Sequence, residues 1–209
     1  MTKQVAKFPA IDTIKLFFIA LLLSPFFWWF IVHANEFSLA SRSLGPDIGK
    51  KLSTLSQPDG LDKYEDMRFS VQTATGNEVL GRLYFNKATV YQDEVFSYLT
   101  NFSPRIYFQA GDGTQLSPGT VEPIPILMFY VWLVGVSIIA KEKNWRVLVA
   151  TLIAGVPAYI SGQKTFLYLF PVALIYLYIS VKGFQTLAYK KTVGIVLVLY
   201  SIVVLSRMI

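Results

Sequence analysis

Cysteine is absent from this 209-residue chain, and histidine occurs once, as His33. Without cysteine there is no disulfide and no thiolate metal site, and a single histidine leaves a metal cluster or a Ser-His-Asp arrangement short of ligands. No metal site or histidine-based triad is therefore expected; no cofactor is assigned and no residue is named as catalytic. Charge is also scarce, at 15% of residues, against 54% hydrophobic ones. Of the thirteen acidic residues only Asp12 and Glu142 lie outside the segment from Glu36 to Glu122, so the long apolar runs hold none. Ion-coupled transport needs ionisable groups at membrane depth, and these runs lack them. The net charge of +6 is not a nucleic-acid signature either. The basic residues neither cluster in the polar segment nor alternate with a stacking platform, so no nucleic-acid partner is expected.

What the chain does have is apolar sequence in blocks, with a positive mean hydropathy of +0.48. Ile14 to Val32 is long enough to cross a hydrocarbon core of about 30 Å as a helix, and Ile124–Ala140, Val147–Ile160, Thr165–Val181 and Thr192–Ser206 follow it. The first block is too long for a signal peptide, no small-residue cleavage pattern follows it, and Trp28-Trp29-Phe30 reads as an interfacial belt, so it is expected to stay as an anchor. Lys3, Lys7 and Lys15, then Lys141, Lys143 and Arg146, then Lys182, Lys190 and Lys191 fall on one side of the resulting topology. The positive-inside rule makes that side, and the N-terminus, cytoplasmic and the C-terminus extracytoplasmic. The expected fold is mainly α: a polytopic membrane protein of about five transmembrane helices with a small α+β extracytoplasmic domain between helices one and two. Its divisions are residues 1–33 (cytoplasmic N-terminus and first span), 34–123 (extracytoplasmic domain) and 124–209 (the remaining transmembrane region). Membrane lipid is its first expected partner.

Within the extracytoplasmic segment, Phe37–Leu55 reads as a helix leaving the membrane. Arg68–Thr73 and Val79–Phe85 alternate like short strands around a Thr75-Gly76-Asn77 turn, which predicts a hairpin. Val90–Leu99 groups Val90, Val95, Phe96 and Leu99 away from Asp93 and Glu94, as an amphipathic surface helix does. Tyr98 to Gly113 then gathers Tyr98, Phe102, Tyr107 and Phe108 around Pro104. These aromatics are expected at the membrane interface or against the outer ends of the spans. In the third block, Ala150, Ala154 and Ala158 recur every four residues and predict a smooth ridge for close helix packing. Pro157 and Pro171 flank the short Ser161-Gly162-Gln163-Lys164 turn, which makes the two blocks antiparallel neighbours with kinks near the outer surface.

The phrases Asn101-Phe102-Ser103-Pro104, Tyr107-Phe108 and Gly111-Asp112, with W-L-V-G, K-E-K-N-W-R, A-G-V-P-A-Y-I-S-G-Q-K and F-L-Y-L-F-P downstream, carry a resemblance. From Leu83 to Leu187 the chain resembles the C-terminal half of polytopic glycosyltransferases of the C-type fold. That group includes the dolichyl-phosphate-mannose protein mannosyltransferases and the aminoarabinose transferase-like bacterial enzymes. The resemblance implies a prokaryotic plasma membrane and, as ligand, a polyprenyl-phosphate-linked sugar whose phosphate would meet Lys164, with Arg105 folded over it. The catalytic N-terminal half of such enzymes, with its acidic first outer loop, has no counterpart here. Lys164 also stands where relatives carry a His or Arg, keeping the charge but losing the bidentate fork. Asp112 is a candidate loop acid, although Gly-Asp-Gly is ordinary turn chemistry.

Two functions remain open. One is a relative of the glycosyltransferase C-terminal half that handles the lipid-linked sugar with a partner supplying the missing half. The other is a non-enzymatic accessory subunit that docks through its alanine ridge and outer loop onto a second membrane subunit.

Overall fold

The computed structural model describes residues 13–56, 60–85, 87–109, 121–161 and 166–207, and these are mainly helical. The first apolar block is two helices, α1 (Thr13–Leu22) and α2 (Pro25–Val32), bent by 64°. Pro25 causes the break: without an N–H it is tolerated at a helix start but not inside one. Ser24 stabilises the bend by donating its hydroxyl to the Ala20 carbonyl at 2.7 Å.

Three helices that follow, α3 (Ala34–Ser56), α4 (Gly60–Thr75) and α5 (Glu78–Tyr84), with α6 (Lys87–Leu99), form an arm. A 3-10 turn over Thr100–Phe102 and the short α7 (Pro104–Phe108) lead back into the bundle. The bundle is completed by α8 (Leu127–Lys141), α9 (Trp145–Ala154), α10 (Val156–Ile160), α11 (Phe166–Thr186) and α12 (Lys190–Ser206).

The hairpin expected in the arm is corrected by this arrangement. Arg68–Thr73 lies inside α4 and Val79–Tyr84 inside α5, and no strand occurs among the described residues. The turn itself is where the sequence placed it. Gly76 takes the left-handed conformation at φ +66°, and Asn77 caps α5 by accepting from the Val79 and Leu80 N–H groups. That cap, followed by Glu78 in the first turn, favours a helix over an extended strand.

Helix α11 is the centre of the bundle, with Leu169, Val172, Ala173 and Leu177 buried and α1, α8, α9 and α10 packed around it. α8 approaches it most closely, at two facing glycines. A Cβ on Gly135 would lie 2.0 Å from the Ile179 carbonyl oxygen, and one on Gly183 2.0 Å from that of Val131. Trp132 lies against Tyr176 three residues before this crossing, so α8 and α11 run in the same direction. α1 runs the opposite way, its Thr13 accepting from the Gln185 amide at 2.9 Å.

Of the five expected spans, one described helix, Tyr168–Thr186, is by itself long and apolar enough to cross a membrane, and the bent α1–α2 pair qualifies if taken as one broken span. α8 and the α9–α10 pair are apolar but shorter. The 15 residues of α8 give about 22 Å of helix, less than a hydrocarbon core.

Candidate functional site

The most organised polar cluster joins the arm to the bundle. Glu94 on α6 receives the Lys51 ammonium from α3 at 2.7 Å and the Tyr159 hydroxyl from α10, also at 2.7 Å. The same ammonium sits 4.6 Å above the Tyr159 ring, so one cation serves both a carboxylate and an aromatic face. One turn along α6, Tyr98 donates its hydroxyl to the Leu152 carbonyl and packs edge-on against Phe102 and Tyr159. Tyr64 of α4 donates to Asp93, which ties a further arm helix to the same turn of α6.

The electrostatics follow from these contacts. Partial burial alone would raise the Glu94 pKa, but the hydrogen bonds from Lys51 and Tyr159 and the Lys51 charge outweigh it and bring the carboxyl below its ordinary value of 4.5. The Tyr64 hydroxyl is pushed up, first by its hydrogen bond to Asp93. Burial pushes up that of Tyr98. The cluster is thus an ionised clamp at neutral pH, with its tyrosines protonated as donors.

Beneath the clamp, the aromatic phrase from Asn101 to Phe108 plugs into the bundle. Tyr107 and Phe108 are buried and meet Tyr176, while Phe108 also meets Phe129 and Trp132. They insert between the helices, where the sequence suggested an interfacial or end-on position. Phe102 fills the space beside Gly155, where a Cβ would come within 2.4 Å of its ring. The turn is held by Tyr107 donating to the Asn101 carbonyl, Tyr176 donating to the Phe102 carbonyl at 2.6 Å, and Ile124 N–H donating to the Tyr107 carbonyl at 2.8 Å. The Asn101 side-chain amide is buried and neither of its polar atoms has a hydrogen-bond partner; the Trp132 indole nitrogen is in the same position.

The residues singled out in the sequence are distributed unevenly. Arg105 is exposed in the first turn of α7. Lys164 and Asp112 lie outside the described residues. Ala158 is buried and Ala154 half-buried against the core, but Ala150 is exposed. The three alanines belong to two helices, because α9 ends at Gly155 and Pro157 lies in the first turn of α10. His33 stacks on Trp29 at 4.4 Å, with Nδ1 2.8 Å from the Trp29 carbonyl oxygen. Among the described residues no group of three or more His, Cys, Asp or Glu could hold a metal ion. The Lys51–Glu94–Tyr159 clamp was not found from sequence. Its members are 43 and 65 residues apart and form no motif.

Compared with protein families, curated proteins and solved structures, the chain finds no match. Its likeness to polytopic glycosyltransferases therefore rests on the phrases quoted above.

Proposed function

We propose that this chain is an integral membrane accessory subunit whose arm docks a second membrane subunit. The observation that carries this reading is the surface of the arm. Leu39, Leu52, Phe69, Val79, Leu83 and Phe96 are all exposed on helices α3 to α6. Each arm helix contributes at least one of them, and where such side chains adjoin they form the kind of apolar patch that marks an interaction site. The clamp supports the same reading, since it fixes the arm against the bundle while those side chains stay exposed.

The membrane assignment draws on the basic end of the bundle. Thr13 bonds Gln185 there, and a groove there brings Thr13, Asn144 and Arg146 together. Lys15, Lys141, Lys143, Lys190 and Lys191 flank these positions in sequence. A cytoplasmic N-terminus and an extracytoplasmic C-terminus follow from that clustering. In this arrangement five apolar segments cross the bilayer, the shorter ones by local thinning or by packing against the partner.

The polyprenyl-phosphate reading belongs to the same subunit acting beside a catalytic partner. Lys164 and the exposed Arg105 are the residues proposed to meet the carrier phosphate, with Asp112 as the loop acid.

The test is purification of the full chain in mild detergent with identification of associated proteins and lipids. One protein should be retained at fixed stoichiometry and lost on Phe69→Lys or Leu83→Lys, while both variants remain folded. If no protein is retained, or both variants retain it fully, the docking reading fails. Carrier handling predicts that Lys164→Glu loses polyprenyl phosphate and Lys143→Glu keeps it. Equal retention removes that part of the proposal. Cysteines at Ser41 and Ser161 should react with an impermeant thiol reagent in intact cells and one at Asn144 should not; the reverse pattern overturns the topology.

A further inference from the structure

A groove of about 550 Å³ opens between α1, α9 and α11 at the basic end of the bundle. Its exposed wall is almost wholly apolar, with Phe17, Ala150 and Leu174 along it, and Thr13, Asn144, Arg146 and Tyr178 bring the few polar groups. The size lies within the range of small-molecule sites.

We propose that this groove holds an anionic phospholipid, with its phosphate against Arg146, Asn144 and Thr13 and an acyl chain lying over Phe17, Ala150 and Leu174. The inference rests on the membrane reading above and adds a specific lipid partner to it.

Three features support that occupant. The first is charge: among the described residues Arg146 lines the groove and no acidic residue does, and near it in sequence Lys15, Lys141 and Lys143 outnumber Asp12 and Glu142. Basic pockets between helices at a cytoplasmic membrane face suit phosphate head groups, and the arginine fork suits two phosphate oxygens. The second is available hydrogen-bond capacity. The Asn144 side chain makes no cap to α9, and Thr13 accepts from Gln185, which leaves its hydroxyl hydrogen for an acceptor. The third is Ala150, whose small side chain is exposed and leaves room along the wall. The neighbouring cavity among α1, α8, α11 and α12 offers a contrast. At about 170 Å³ it is apolar except for Ser180, whose hydroxyl is engaged by the Tyr176 carbonyl at 2.9 Å. It has nothing to recognise a head group.

The test uses the full chain in mild detergent, incubated with phosphatidylglycerol and phosphatidylcholine of identical acyl chains, with retained lipid read by native mass spectrometry. Phosphatidylglycerol should be retained roughly tenfold over phosphatidylcholine, and Arg146→Glu should remove most of that preference. Ala150→Trp should reduce retention of both lipids, while Arg207→Glu, at the opposite end of the bundle, should change neither. Arg146 is exposed, so its variant tests the site even where the tryptophan disturbs folding. Equal retention of the two lipids, or equal behaviour of Arg146→Glu and Arg207→Glu, overturns the site. A photo-crosslinker at position 150 that captures a protein helix in native membranes also overturns it, by making the groove a subunit seat. Alkaline extraction separates the two failures. A chain that stays in the membrane but shows no lipid preference loses only this site, whereas a chain released from the membrane loses the membrane reading as well.

Discussion

The bundle and the arm are both helical, yet they are held together by different physics. In the bundle, Phe26, Tyr107, Ile124, Leu169 and Leu177 are almost fully excluded from solvent, and two helices meet backbone to backbone at Gly135 and Gly183. In the arm, Gly81 is the only residue of α3 to α6 that is buried among those described. The arm is held by the Lys51–Glu94–Tyr159 clamp, by the Tyr64–Asp93 hydrogen bond and by one close approach, where a Cβ on Gly81 would come within 2.9 Å of the Arg68 carbonyl oxygen. Burial thus fixes one region, while the other relies mainly on directional polar contacts. Mutations should therefore act on the two by different rules.

The sharpest contrast uses the same substitution in both. Gly183→Ala places a methyl 2.0 Å from the Val131 carbonyl oxygen, which backbone cannot yield without separating α8 from α11. It should cost about 3 kcal/mol, at the upper end for overpacking, and lower the thermal midpoint in detergent by many degrees. Gly49→Ala in α3 meets nothing within 4 Å. It should instead stabilise α3 by roughly 0.5–1 kcal/mol through helix propensity, seen as slower amide exchange. Destabilisation by both would mean that the arm is packed like the bundle.

Removing the clamp's charge comes next in size. Glu94→Gln should cost the arm about 1 kcal/mol, the scale of a partly exposed ion pair, with bundle exchange rates unchanged. The pH dependence has a definite sign. The Glu94 pKa is lower in the folded state than its ordinary 4.5, so its contribution is fully present above that value and is lost as pH falls through the lowered folded value. Proteolysis of α3 and α6 should be flat from neutral pH down to about 5 and should rise below pH 4.5, and Glu94→Gln should abolish the rise. An acid response shared equally by the bundle would show that the clamp is not its source.

The smallest effect expected is at the α5 cap. Asn77→Ala removes the acceptor for the Val79 and Leu80 N–H groups and should cost about 0.5 kcal/mol, confined to faster exchange in α5. Any change at α11 would mean that the arm and bundle unfold as one unit.

The same contrast explains which features were legible. α3 and α6 were read close to their observed bounds because long, weakly apolar segments with acidic residues on one side have few alternatives to helix. Arg68–Thr73 and Val79–Phe85 were misread as strands. Alternation has meaning only when one face is buried, and in α4 and α5 Phe69, Val79 and Leu83 are exposed. The better local signal was Asn77-Glu78, a cap followed by an acid. The break in the first apolar block was signalled by Pro25, but a hydropathy window averages over it. In the site, Tyr107 and Phe108 were noticed as aromatics near the spans, while the clamp was missed because each of its members is an ordinary residue in its own neighbourhood.

By itself the sequence determined where segments break, turn and are capped. Apolar blocks, prolines at breaks, the left-handed Gly76 and the Asn77 cap are local facts, set by side-chain chemistry within a few residues. The basic clusters lie at the turns for the same local reason. Only the tertiary structure decided which segments meet. It paired Gly135 with Gly183, sank Tyr107 against Tyr176, and brought Lys51, Glu94 and Tyr159 within hydrogen-bonding distance. Those meetings depend on the whole set of packed neighbours, because a glycine favours close approach only where the facing helix is also smooth. A carboxylate becomes a clamp only where distant helices deliver its cation and its donor.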